Sequence, residues 1–454
     1  MRAGSRCDPV DIARVAAVSL LFHASLAEQS IRLWAQERGF ELPAQPEGEG
    51  CAVRWLCYSA LLRKSNPPAR AAAGKWHSVF IDGEGWLSSC GNAPYYNPAL
   101  LGHGEGVAQP NTPTRLPSTL GECAVSVSAG AAHSLALTAG GSVWSWGSGS
   151  HGRLGHGDRQ SQWQPKKVEA FAGQRVVAVS AGGSHSLALT ADGAVWSWGR
   201  GGEGQLGHGD QQSQLLPKKV ELLGGRRVVA VSAGSDHSLA LSADGAVWSW
   251  GSGFFGKLGH GDQQRQLLPK KIEASAGQRV VAVSAGDAHS LALTADGALW
   301  SWGYGALGQL GHGDEQYQLL PTKIEAFADQ RAVAVSAGAW HSLALTSDGA
   351  VWSWGDGDGG QLGHGDEQQQ LLPKKVEGFA GEGAVSAGTY HSIAIADGAV
   401  FTWGGGDDGR LGHGEDLSNQ LLPKKIEAWA SRPPTPASSD GEDNSDGEDS
   451  LLDE

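Results

Sequence analysis

Residues 175–221, RVVAVSAGGSHSLALTADGAVWSWGRGGEGQLGHGDQQSQLLPKKVE, alternate short apolar runs with glycine-rich breaks. Val176 to Ser180 is a β-branched run that closes on Ala-Gly. His185 to Thr190 sets Leu187 and Leu189 on one face and Ser186 and Ala188 on the other. Asp192-Gly193 has the backbone freedom of a tight hairpin turn, and Ala194 to Trp198 forms the returning run. After a loop of Gly, Gln and Ser, Pro217 opens a last extended piece, Lys218 to Glu221. The pattern predicts four short strands and no helix. Apolar or small residues occupy both strand faces, so the sheet must be covered on both sides.

The same pattern is written seven times. His-Ser recurs at His77, His133, His185, His237, His289, His341 and His391, in steps of 56, 52, 52, 52, 52 and 50 residues. Leu-Gly-His-Gly recurs at His103, His156, His208, His260, His312, His364 and His413. A fixed period of this size marks a repeat architecture whose units bury their faces against one another. Seven units suit a closed ring: an all-β, seven-bladed β-propeller of four-stranded blades over residues 70–430. The Trp-Ser-Trp-Gly strings (Trp144/Trp146, Trp196/Trp198, Trp248/Trp250, Trp300/Trp302, Trp352/Trp354) read as blade-to-blade packing, because indoles dominate buried area. Unit seven softens the string to Phe401 and Trp403, and unit one reads Trp86-Leu-Ser-Ser-Cys90-Gly. Unit one also lacks a good first strand, which predicts that the ring closes by mixing strands from both ends, the piece from Pro423 to Trp429 completing the first blade.

AGGSHSLALTADGAVWSWGRGGEGQLGHGD resembles the repeat of the regulator of chromosome condensation family, and the resemblance runs over about residues 70–430. It implies a seven-bladed propeller. WD-type repeats differ in their shorter period of about 40–45 residues and their Trp-Asp ending. The family implies several functions. Its founding members are exchange factors for the small GTPase Ran and bind nucleosomes, using a protruding wedge; units two to six here keep a strict 52-residue period with no insertion for one. Plant ultraviolet-B receptors share the fold and place tryptophans two residues before the repeat histidine. Here those positions are Lys75, Ala131, Gly183, Ser235, Asp287, Ala339 and Thr389. Giant ubiquitin ligases carry similar propellers beside a catalytic domain, for which the chain has no room after residue 430.

Composition narrows the picture. The chain has 454 residues, 68 of them Gly, and a formal net charge of −14. Eight acids against Arg432 in residues 431–454 supply about half of that charge and, with the Pro and Ser there, predict a disordered tail. Ser439 and Ser445, each three residues before a Glu, are candidate sites for an acid-directed kinase. So acidic a chain makes direct nucleic-acid binding unlikely on charge grounds, since phosphate contacts need clustered Lys and Arg. The five cysteines, Cys7, Cys51, Cys57, Cys90 and Cys123, form no CxxC pair. No apolar run reaches about 18 residues, and Asp8, Asp11 and Arg14 interrupt any signal-peptide pattern. The expectation is a cytoplasmic or nuclear protein, neither secreted nor membrane-spanning.

Two apparent chemical motifs dissolve into the repeat. Gly199-Arg-Gly-Gly-Glu-Gly204 fits a dinucleotide fingerprint, as do strings beginning at Gly147, Gly251, Gly303, Gly355 and Gly404, yet none precedes a predicted helix. The fourteen repeat histidines recur once per blade instead of converging as metal ligands must, so each is expected to bond backbone at a turn. No catalytic residue, cofactor or metal is assigned.

Residues 1–64 are read as a helical segment. DPVDIARVAAVSLLFHASLAEQSIRLWAQ resembles the later part of an F-box, with Leu33-Trp34 matching its Leu-Trp element; the opening Leu-Pro and first helix are missing. Leu33 and Trp34 are therefore candidate contacts to a Skp-type adaptor. Comparing the seven units, the residues just before His-Ser and the turn after Trp-Gly vary most. The candidate partner-binding residues are Trp76, Asp236, Phe254, Phe255, Asp287, Tyr304, Trp340 and Tyr390. The sequence thus reads as a noncatalytic protein-binding propeller, serving in one version as the substrate receptor of a ubiquitin ligase. A guanine-nucleotide exchange factor for a small GTPase is the alternative, and an ultraviolet-B photosensor a minor one.

Overall fold

The computed structural model describes residues 70–92, 99–106, 110–117, 120–275, 277–379 and 383–427. The proposed N-terminal helices, Leu33, Trp34, the acidic tail, Ser439 and Ser445 lie outside them. The described residues form seven four-stranded antiparallel sheets, each a meander of consecutive strands. Blade 3 is typical: Val176–Ala181 innermost, then His185–Thr190, Val195–Gly199 and Gln214–Lys219 outermost. The innermost strands surround a channel of about 380 Å³ lined mostly by Ala, Ser and Gly, with Lys75 and Asp287 among the few charged residues on it.

The outer strand begins earlier than the sequence suggested. It runs through Pro217 rather than starting there, pairing Gly199 with Gln214 and Ser197 with Lys218, with a register shift between them. An outer-edge strand tolerates Pro because its free side donates nothing to the sheet. The links between blades also hold single 3-10 turns, such as Glu169–Phe171 and Glu325–Phe327. These two insert a buried ring under the Trp pair: Phe171 lies 5.8 Å from both Trp196 and Trp198, and Phe327 lies 5.3 Å from Trp352.

One hydrogen-bond set repeats at the seams between blades. His185 Nε2 lies 2.9 Å from Ser238 Oγ of the next blade, and Ser238 Oγ donates to Gln205 O at 2.8 Å. The serine proton is thereby spent on the carbonyl, so the histidine must donate through Nε2 and leave Nδ1 bare. The indole of Trp250 donates to the same Gln205 O at 2.8 Å. Along the channel, Ala233 N donates to Ser180 Oγ of the preceding blade at 2.9 Å. The residue types Ala-Gly, His-Ser and Trp-Ser-Trp follow from these contacts. A Cβ at Gly182 would lie 2.4 Å from Gly234 O, and one at Gly155, whose φ is +80°, would press on the Trp198 indole at 3.0 Å.

Closure does not exchange strands. Blade 1 consists of Ala71–Ala73, His77–Ile81, Leu87–Gly91 and Thr114–Arg115, and blade 7 of Gly383–Ala387, His391–Ala396, Ala399–Gly404 and Gln420–Lys425. The expectation that the C-terminal piece completes blade 1 is therefore wrong, because three alanines suffice as an inner strand when the next strand supplies the bulk. Closure uses the ordinary seam instead. Ala73 N donates to Ser386 Oγ at 3.0 Å, Ser78 Oγ lies 2.8 Å from His391 Nε2, and Ser78 donates to Arg410 O at 2.7 Å. Cys90 stands in the indole's place, its Sγ 3.6 Å from Arg410 O. Around the channel mouth, the N–H after each Ala-Gly donates to the glycine carbonyl of the next blade, from Lys75 N to Gly130 O round to Thr389 N to Gly74 O. This backbone circle closes on itself.

Candidate functional site: the loop-bearing face

Consecutive antiparallel strands put the first-to-second and third-to-fourth connections of every blade on the same side of the ring. The residues before His-Ser and those after Trp-Gly, read from the sequence as the two variable stretches, therefore share one face. Each third-to-fourth loop leans onto the next blade's first loop. Arg153 Nη1 donates to Gly183 O at 3.3 Å, Arg200 pairs with Asp236 at 3.3 Å, and Lys257 Nζ donates to Asp287 O at 3.2 Å.

The histidines belong to the scaffold. All seven His-Ser imidazoles are fully buried, and their Nδ1 atoms have no partner among the described residues. Burial pushes His77, His289 and His341 down to about 3 and His185 to about 4, and holds His133, His237 and His391 well below the usual range. Neutral imidazole is what the seam requires. Unlike the His-Ser histidines, which bond a serine of the next blade instead of backbone, the Leu-Gly-His-Gly histidines bond backbone as expected, at the Ser or Thr between the two aromatic positions. They also meet its hydroxyl: His156 Nε2 lies 2.9 Å from Ser145 Oγ, and His413 Nε2 lies 3.0 Å from Thr402 Oγ1. No group of three or more His, Cys, Asp or Glu among the described residues is arranged to hold a metal. The GxGxxG strings form third-to-fourth loops, and no α-helix follows them among the described residues. No described helix is long and apolar enough to cross a membrane.

The candidate residues fall into three groups on the face. Asp236 and Asp287 are half-buried beside the channel mouth. Burial raises the Asp287 carboxyl, while Lys257 and Lys75 oppose that shift. Trp76 and Tyr390 meet across the closing seam at 5.8 Å, with the Arg410 guanidinium 5.2 Å and 5.4 Å from their ring centres. Arg410 is itself buried and paired with Asp408 at 3.1 Å. Here the aromatic side chains pack on a cation of their own chain.

The third group is the largest. Phe255 lies 4.8 Å from Tyr304 and 5.5 Å from Tyr317; Tyr304 lies 5.0 Å from Tyr317 and 5.9 Å from Trp340; Phe254 lies 6.5 Å from Phe255. These rings come from blades 4, 5 and 6. Phe254 is 62% exposed and Tyr317 43%. Phe255 sits at φ +64°, in the left-handed region that bulky residues avoid. Tyr317 was missed from the sequence because it lies just before the outer strand, where the other units carry Ser161, Ser213, Arg265, Gln369 and Asn419. A Tyr at a repeatedly polar position was the available signal.

The same loops divide by charge. Third-to-fourth loops of blades 2 to 4 (148–161, 200–213, 252–265) carry four carboxylates and five Lys or Arg. Those of blades 5 to 7 (304–317, 356–369, 405–419) carry ten carboxylates and one cation, Arg410. The face is therefore near neutral on one side and strongly acidic on the other, with the aromatic patch along their border.

Comparison with known proteins agrees with the fold. The RCC1-like domain profile matches residues 169–439, and the regulator of chromosome condensation (RCC1) repeat matches residues 140–189 and 124–153. The chain is 37% identical to the ultraviolet-B receptor UVR8 of Arabidopsis thaliana, over 72% of this chain and 75% of the receptor. It is 41% identical to the E3 ubiquitin-protein ligase HERC2 of Mus musculus over 76% of this chain, which spans only 7% of the ligase. Among solved structures, Prp20p of Saccharomyces cerevisiae, described with its binding to Gsp1p and histones, superposes with a TM-score of 0.65 at 27% identity, covering 79% of this chain and 87% of that one. With repeats, seams and ring in agreement, the chain belongs to the regulator of chromosome condensation (RCC1) repeat family.

Proposed function

We propose that this protein is a noncatalytic scaffold that docks a protein partner on its loop-bearing face. The observation that carries this reading is the convergence of Phe254, Phe255, Tyr304, Tyr317 and Trp340, from three blades, into one partly exposed aromatic patch. Large aromatic side chains on a rigid support are effective anchors, because little conformational freedom is lost when they are covered. The test is affinity purification of the full chain from its native cell, with quantitative identification of partners, beside a Phe254→Ser/Tyr317→Ser double variant. A partner recovered with wild type and lost with the variant is the expected result; an unchanged partner set overturns the reading.

Two finer versions follow from the relatives. HERC2 is named as a ubiquitin ligase, and residues 8–40 resemble part of an F-box, which together suggest a substrate receptor. That version requires a Skp-type adaptor to copurify and Trp34→Ala to weaken the association. Likeness to Prp20p, described with Gsp1p, favours nucleotide exchange on a small GTPase. It requires accelerated nucleotide release from at least one GTPase in a panel.

A further inference from the structure

We infer that the partner segment seated on the aromatic patch is rich in Lys and Arg. This inference deepens the scaffold reading and rests on it. The patch lies where the acidic half of the face begins. Tyr304 and Tyr317 belong to a loop that also carries Asp314 and Glu315, and the adjoining loop of blade 6 carries Asp356, Asp358 and Glu367. Asp314, Glu315, Asp358 and Glu367 are not sequestered; each side chain is partly or largely exposed. No ion pair among the described residues neutralises them: the pairs on the loops join Arg200 with Asp236, Arg265 with Glu203, Arg410 with Asp408 and Lys424 with Asp416.

Charge and rings point to the same chemistry. An exposed aromatic face attracts ammonium and guanidinium groups through its quadrupole, and nearby carboxylates add direct attraction and speed encounter. An acidic segment would meet repulsion from ten carboxylates. A purely apolar one would leave them unused. The other aromatic pair shows the preference within this chain: Trp76 and Tyr390 are already covered by Arg410. At the Phe255–Tyr304–Tyr317 patch no cation of the chain is found over the rings among the described residues. The patch repeats the chemistry of the closing seam with the cation left to the partner. In the same loop Gln309 is fully buried and its Nε2 has no acceptor among the described residues, whereas Gln205 and Gln361 give theirs to Asp236 and Asp356.

The probe is a fluorescein-labelled (Lys-Gly-Arg)4 peptide, with (Glu-Gly-Asp)4 as its acidic counterpart, titrated against the full chain at low and moderate salt. The basic peptide is expected to bind, and its affinity to fall as salt rises. Phe254→Ser/Tyr317→Ser should weaken it about tenfold, and Glu315→Lys/Asp358→Lys at least as much. Asp158→Lys/Asp210→Lys, the same charge change on blades 2 and 3, should have the smaller effect at moderate salt, because those blades contribute no ring to the patch. Binding that ignores both patch variants would place the peptide elsewhere, the acidic tail included, and would overturn the inference, as would equal affinity for the acidic peptide. If the patch variants lose the cellular partner while the basic peptide fails to bind, the scaffold reading stands and the inferred partner chemistry falls.

Discussion

The seams between blades and the face above them are built from the same repeat, yet they behave in opposite ways. At a seam, the same few groups recur: a neutral imidazole, a serine hydroxyl, one main-chain carbonyl and, in five blades, an indole N–H. On the face, the equivalent positions hold Arg153, Gln205, Lys257, Gln309, Gln361 and Arg410, and the turn after Trp-Gly ranges from Ser148 to Tyr304. The difference is one of tolerance. A seam residue is buried with its hydrogen bonds assigned, so a change leaves a cavity or an unpaired polar group. These face side chains are buried too, but they find varied partners, Gly183 O for Arg153 and Asp356 for Gln361, so the position accepts different residue types.

The largest expected disruption is acid. Burial holds all seven seam histidines below the ordinary 6.5, His77, His289 and His341 at about 3 and His185 at about 4. Their folded values are depressed, so the unfolded chain binds more protons between those limits. Stability is therefore full above about pH 6.5 and declines as pH falls, by about 1.4 kcal/mol per pH unit for each histidine. Seven of them should produce cooperative unfolding within one or two pH units below 6, followed by circular dichroism. Stability that stays level from pH 7 to 4 would contradict neutral seams.

Next in size is Trp198→Ala, which removes a fully buried indole and its bond to Arg153 O at 2.8 Å. A loss of about 3–5 kcal/mol is expected by denaturant titration. Trp146→Ala sharpens the comparison. Trp146 is equally buried, but its Nε1 has no partner among the described residues. It should cost about 1 kcal/mol less, the worth of one hydrogen bond. A smaller effect concerns thiols: Cys90 is buried and its thiol pushed up by burial, while Cys123 is exposed. Alkylation followed by mass spectrometry should modify Cys123 in the native protein and Cys90 only after unfolding.

Much of the scaffold was legible in the sequence because it is repeated. The period gave the blade count, alternation around Leu187 and Leu189 gave the second strand, and Trp-Ser-Trp-Gly gave the seam. What escaped depended on a neighbour. Closure was misread because Ala71–Ala73 is too short to announce a strand alone, and becomes one only against His77–Ile81. The His-Ser histidines were misread because the serine each one meets stands on the neighbouring blade, 53 residues on for His185 and His289. On the face, the eight candidate residues were found by where the repeat fails. Their division into three groups, and the addition of Tyr317, needed the ring to bring separate blades together.

The contrast between seam and face is tested most directly by measuring unfolding free energy and partner retention on one preparation of the Phe254→Ser/Tyr317→Ser variant. The account predicts stability within about 1 kcal/mol of wild type, as for exposed side chains, together with loss of the partner that wild type retains. A variant of wild-type stability that still holds the partner would contradict it.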